Sequence, residues 1–149
     1  MHLYFIMVVI VLAIDRITKL WIVSKMGLAE TIPVINGFFH ITYIKNSGAA
    51  FGMLANRQWI FILITILVLI AIFYMVVKLP KEDALLAAIF GLITGGALGN
   101  LIDRIQTGLV IDFLDFRGIW PYIFNVADSA VVVGVCLLTW QILKSDKML

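Results

Sequence analysis

Four aspartates, Asp103, Asp112, Asp115 and Asp128, fall within 26 positions of a chain that has only nine acidic residues. They sit in "GNLIDR", "VIDFLDF" and "FNVAD", beside some of the most apolar stretches of the sequence. Carboxyl groups in such surroundings are suited to proton chemistry. Desolvation disfavours the charged form, and two close carboxyls resist ionising together. One proton shared near neutral pH is what aspartic peptidase chemistry requires. Asp112 and Asp128 are the candidates for such a pair. The spacing in "NVAD" also suits a helix start, with Asn125 as cap and Asp128 reaching back to its amide. A carboxylate there complements the positive helix end. Capping, dyad chemistry and proton or cation transfer are all open on spacing alone.

The other polar groups read differently. Asp103 and Arg104 suit a polar anchor at a helix end better than a catalytic pair. Asn100 and Arg104 are four apart, so both can face one site. Asp15 and Lys19 are four apart with the acid first, the better order for a helical ion pair, and pairing lowers the cost of burial. That gives them a structural role. The chain has two histidines, His2 and His40, and no H-E-x-x-H zinc motif. Serine–lysine chemistry would need Ser47 with Lys45, or Ser24 with Lys25, pairs that chance produces often. A metal-dependent hydrolase would use Asp103, Asp112, Asp115 and Asp128 as hard oxygen ligands. Cys136 is the only cysteine, so no disulfide forms within the chain, and its apolar run predicts a small packing residue.

The elements that must position these groups are apolar. With 63% hydrophobic and 13% charged residues, the 149-residue chain fits a single membrane domain better than a soluble one. No cluster of basic residues suggests a nucleic-acid partner. A bilayer core of ~30 Å needs about 20 helical residues. Four segments qualify: about 3–23, 59–77, 84–102 and 123–143. The fold class expected is an α-helical membrane protein with four spans and outer loops at about 24–58 and 103–122. On these bounds Asp128 lies five residues into the last span, about 7.5 Å below its start. The first segment lacks a basic start and a cleavage site, so it reads as a retained span rather than a signal peptide. Four spans put both termini on one side, and the density of lysines in the short link and C-terminus favours the cytoplasm.

"TIPVINGFFHITYIK" places β-branched and aromatic residues around Asn36-Gly37, predicting a hairpin with a two-residue turn. Alternation puts Ile41, Tyr43 and Lys45 on one face of its second strand and His40, Thr42 and Ile44 on the other. "NSGAAFG" then suggests a turn or short helix. In the third span, Gly91, Gly95 and Gly99 form one stripe that lets a neighbouring helix approach closely, with Asp103 next in line. The stripe is expected to bring the outer ends of the third and fourth helices together.

Five segments in order, "DRITK", "KNSGAAFG", "GNLIDR", "VIDFLDF" and "FNVAD", resemble the motifs of the lipoprotein signal peptidases (signal peptidase II). These are aspartic endopeptidases of the bacterial cytoplasmic membrane. The resemblance covers nearly the whole chain. It implies four spans, an outer-loop hairpin and short helix that cradle substrate, and a catalytic pair at Asp112 and Asp128. It implies hydrolysis just before a diacylglyceryl-modified cysteine, with a prolipoprotein and membrane lipids as partners and no metal or other cofactor. Asn46, Gly48, Asn100, Arg104 and Asn125 fall on the family's polar residues around the dyad and substrate. Asp15 and Lys19 fall on a motif that supports folding away from the chemistry. The family motif carries arginine where this chain has Lys45, and lysine lacks arginine's planar fork. A monomer suffices, since four spans can enclose one interfacial site. The competing class is a small channel or transporter using intramembrane acids as a proton or cation relay.

Overall fold

The computed structural model describes residues 1–48, 57–80 and 82–146. Its elements are α1 (His2–Lys25), β1 (Thr31–Ile35), β2 (Phe39–Asn46), α2 (Gln58–Lys78), α3 (Ala84–Thr107), β3 (Val110–Phe116) and α4 (Val126–Asp146). The short helix expected within "NSGAAFG" lies outside the described residues beyond Gly48, and so do Lys81 and Lys147.

Among the described residues three helices, α2, α3 and α4, are long and apolar enough to cross a membrane, not four. The first segment is helical, but Asp15, Arg16 and Lys19 interrupt its apolar run. Those charges are not presented outward along the helix: Asp15 and Lys19 are fully buried, while Leu3, Phe5, Val9, Ile17 and Leu20 are exposed.

Helix α3 is the hub, packing against α1, α2 and α4. The glycine stripe makes this possible, although its main partner is α1, with α4 meeting it only at Gly99 through Ala127 Cβ. A Cβ on Gly91 would lie 2.7 Å from the Tyr4 carbonyl oxygen, one on Gly95 2.7 Å from Val11 Cβ, and one on Gly99 2.5 Å from Asp15 Oδ2. Helix α4 reaches α3 through Gly96, which faces the Ala127 carbonyl, and through its own Gly134, which faces Ile93. Adding a methyl at Gly96 would drive it into the Ala127 carbonyl oxygen and to 2.8 Å from Val131 Cγ2. Backbone yields less readily than a side chain, so Gly96→Ala should destabilise by about 1–3 kcal/mol, seen as a lower Tm in detergent.

Two boundaries differ from expectation for local reasons. Helix α3 does not stop at Ile102. It continues through Asp103 and Arg104, with Thr107 donating to the Asp103 carbonyl, and ends where Gly108 adopts φ +72° and donates to the Arg104 carbonyl. Helix α4 begins at Val126, not near residue 123, because Phe124 is paired with Leu114 as strand. Asp128 is therefore in its first turn.

The hairpin forms, but its loop has three residues, Asn36 to Phe38, since Ile35 pairs with Phe39. Gly37 has φ +74° and Asn36 is not in the left-handed region, so the turn is of the kind that needs glycine only at its third position. Alternation along β2 also fails: Thr42 and Tyr43 are both buried, at an irregularity between Ile41 and Ile44. Strand β3, expected as loop, completes an antiparallel sheet in the order β1-β2-β3. Tyr43 and Phe113 from this sheet pack on Ile22 and Met26 at the end of α1. At the far end of the bundle Met1 lies beside Leu79, Pro80 and Asp83, so the N-terminus and the α2–α3 link share that end.

Candidate active site

Asp112 and Asp128 are brought together by strand pairing followed by a helix cap. Strand β3 pairs with β2, setting Asp112 opposite Ile44 and next to the Asn46 region. The chain then turns back. Phe124 donates to the Leu114 carbonyl and accepts from the amides of Phe113 and Leu114. That return places Asn125 and the first turn of α4 beside Asp112. The cap is reciprocal: Asn125 Oδ1 accepts from the Asp128 amide at 2.9 Å, and Asp128 Oδ2 accepts from the Asn125 amide at 3.2 Å. Capping thus uses only one oxygen of Asp128. The other, Oδ1, accepts from Asn100 Nδ2 at 2.7 Å.

Asp112 is 1% exposed. Its Oδ1 accepts from Asn125 Nδ2 at 2.6 Å and its Oδ2 from Asn46 Nδ2 at 2.9 Å. Gly48 donates its amide to Asn46 Oδ1 at 2.9 Å, which turns the Asn46 amide nitrogen toward Asp112. Gln58, the first residue of α2, donates to the Ser47 carbonyl and ties down this turn. Asn125 is fully buried and links the two acids, since its Nδ2 also lies 3.1 Å from Asn100 Oδ1. Burial, then the neighbouring Asp128 charge, push the Asp112 carboxyl up to about 7.

Both acids line a cavity of about 1310 Å³ whose described walls come from α2, α3, α4, β2, β3 and residues 119–124. Its lining is mostly apolar, with Phe61, Val132, Trp120 and Phe124 among it. Arg104 faces the same cavity over the Phe61 ring at 5.1 Å, with its Nε buried and, among the described residues, without a hydrogen-bond partner. Asn46, Gly48, Asn100 and the rim residue Lys45 also line it, so the sequence-predicted polar residues converge here. Asn125 stands behind the acids.

The remaining acids are engaged elsewhere. Asp103 pairs with Arg16, and with Lys19 at 2.8 Å. Asp115 accepts from Thr42 at 2.7 Å and from Arg117 at 3.0 Å. Burial raises its pKa, but these bonds outweigh burial and hold the carboxyl below its ordinary value. Among the described residues no three His, Cys, Asp or Glu side chains gather as metal ligands would. Ser24 donates to the Trp21 carbonyl, away from the cavity. Cys136 is exposed on α4, not packed within the bundle as its apolar run suggested.

Asp15 and Lys19 do not lie away from the site. Lys19 Nζ is 2.8 Å from Asp15 Oδ2 and donates to Asn100 Oδ1 at 3.0 Å. Asp15 Oδ1 accepts from the amide of Ala127, next to Asp128. No local spacing signals these contacts, which join positions 81 and 112 apart.

Comparison with known proteins covers nearly the whole chain. Residues 7–144 match the family model described as signal peptidase (SPase) II. A lipoprotein signal peptidase of Desulfitobacterium hafniense is 51% identical over 138 residues, covering 93% of this chain and 91% of that protein. One from Moorella thermoacetica is 49% identical, covering 94% of this chain and 92% of that protein. A solved structure described as a bacterial membrane enzyme superposes with a TM-score of 0.90 at 37% identity, over 96% of this chain and 88% of its own.

Proposed function

The chain belongs to the signal peptidase II family, and on that premise we propose that Asp112 and Asp128 are the catalytic dyad with which this lipoprotein signal peptidase cuts its substrate. The observation that carries the reading is that two acids 16 positions apart open onto one apolar cavity, each oriented by amide donors and bridged by Asn125.

The substrate is a prolipoprotein, and the bond cut is the one before its diacylglyceryl-cysteine. One carboxylate takes a proton from a water molecule, which attacks the scissile carbonyl. The other, protonated, donates to the developing oxyanion. The gem-diol collapses as the leaving amine gains a proton. Asn46 and Asn125 hold Asp112, Asn100 and Asn125 hold Asp128, and Arg104 and the Gly48 turn face the peptide. The apolar wall of α2 and α4 accepts the acyl chains.

The whole chain forms one membrane domain, and α1 is its fourth span. Along its middle its outward residues are apolar, and Asp15 and Lys19 are paired inside the bundle. Both termini lie in the cytoplasm, with the site at the outer leaflet under the β-sheet. One copy contains every group named, so the monomer is the active unit.

The dyad predicts a pH profile. It needs one proton, and the Asp112 carboxyl is poised near 7. Cleavage of a lipidated precursor peptide should fall as pH rises through about 7, because both acids are then ionised, and also at low pH, where both are protonated. These limbs belong to the pair. A profile flat from pH 5 to 9 would refute the dyad. Full activity in Ser47→Ala and Ser24→Ala would separate it from serine chemistry.

A further inference from the structure

We infer that Lys19 is a positioning residue for the reaction, acting on Asp128 through the side-chain amide of Asn100. This deepens the dyad reading above and rests on it.

The Lys19 ammonium has three N–H donors and can accept nothing. Its neighbours are Asp15 Oδ2 and Asp103 Oδ2 at 2.8 Å each and Asn100 Oδ1 at 3.0 Å. An ammonium facing an asparagine decides which way round that amide sits. With Asn100 Oδ1 drawn to Lys19, Nδ2 must point away, and it donates to Asp128 Oδ1 at 2.7 Å. Asn125 Nδ2, 3.1 Å from the same Oδ1, reinforces this setting. A flipped Asn100 would set its NH₂ against two donors and its carbonyl against a carboxylate.

The cluster has a second hold on the same turn. Asp15 Oδ1 accepts from the Ala127 amide at 3.1 Å, so the ion pair fixes the backbone beside Asp128 as well as its side-chain partner. The charged groups facing this turn are Asp15, Arg16 and Lys19 from α1, Asp103 and Arg104 from α3, and Asp112 from β3. Lys19 does not line the cavity, so it acts on the dyad and not on substrate.

The test uses the double variant Asp15→Asn/Lys19→Met in the full-length protein. It keeps the Arg16–Asp103 pair, leaves the cluster neutral, and retains an oxygen at position 15 for the Ala127 amide. The ammonium's hold on Asn100 is removed. The expected result is a kcat at least ten-fold lower on a lipidated precursor peptide, with KM within two-fold. The acid limb of the pH profile, which belongs to the pair, should move up, because a free amide no longer favours the dyad's ionised form. Each variant's profile is normalised to its own maximum, so partial loss of folded protein lowers its height without moving its limbs. If the double variant does not fold, Asp15→Asn/Lys19→Gln fills more of the same space with a neutral amide that can accept as well as donate, so Asn100 is no longer held one way round, and a kcat loss and limb shift in the same direction are expected. Wild-type kcat and an unmoved acid limb, in either variant, would overturn the positioning role. Failure of the dyad reading looks different: Asp128→Asn would itself be active.

Discussion

Asp112→Asn and Asp128→Asn should each lower kcat/KM for a lipidated precursor peptide by about 10³–10⁴-fold, with the protein still folded. General acid–base catalysis by a positioned group is worth about 10²–10⁴. In the proposed dyad, loss of either acid removes one of the two roles, base or proton donor, and ends the sharing of one proton between them, which places the expected effect at the top of that range. Stability should move the other way for Asp112. A carboxyl whose pKa is raised to about 7 in the folded state binds more protons folded than unfolded between its ordinary value and 7. Its contribution to stability is therefore full at low pH and is lost as pH climbs through 7. Asparagine does not ionise and still offers Oδ1 to Asn125. At pH 8 the Asp112→Asn variant should be more stable than wild type by on the order of 2–4 kcal/mol, and the gap should close toward pH 4. Thermal unfolding at the two pH values measures it. A variant that is inactive because it is unfolded would show the opposite.

Lys19→Met should be among the most damaging substitutions outside the dyad. The ammonium is fully buried between two carboxylates, and its removal leaves Asp15 and Asp103 facing each other with only Arg16 to balance them. Breaking a buried pair by taking one partner costs about 3–5 kcal/mol. The expected outcome is a sharply lower Tm and poor yield from membranes. Asp15→Asn added to Lys19→Met should restore most of that stability, since the uncompensated charge is gone. Equal Tm values for the single variant and wild type would mean that the cluster is dispensable for folding.

The sequence carried much of this because chemistry imposed on local spacing is visible locally. Asn125 and Asp128 read as a cap from their three-residue offset, and the structure forms that cap while leaving both residues beside Asp112 and Asn100. Gly91, Gly95 and Gly99 announce a face, but periodicity names only a face and never its partner: α1 covers all three, and α4 reaches the stripe only at Gly99, through Ala127. "VIDFLDF" has the β-branched and aromatic residues of a strand, yet its mate is more than 60 positions upstream and nothing local points to it. The same distance conceals Lys19 from Asn100. Its charge marks a buried pair, while the amide it orients depends on how three helices meet. The acids of "VIDFLDF" show the reverse: identical residues three apart, separated in role by which neighbour each strand face meets, Asn46 and Asn125 for Asp112, Thr42 and Arg117 for Asp115.

Helix α2 is buried over a small part of its length and leans chiefly on α3. Among the described residues its wall of the cavity is thus free of the tight glycine-mediated contact that joins α3 to α1 and α4. In a bilayer, such a flank is bathed by fatty-acyl tails, and a guest already dissolved among them can slip in sideways. Encounter then becomes a two-dimensional search within the leaflet. Turnover should follow the mole fraction of precursor in the membrane and not its concentration in the surrounding volume.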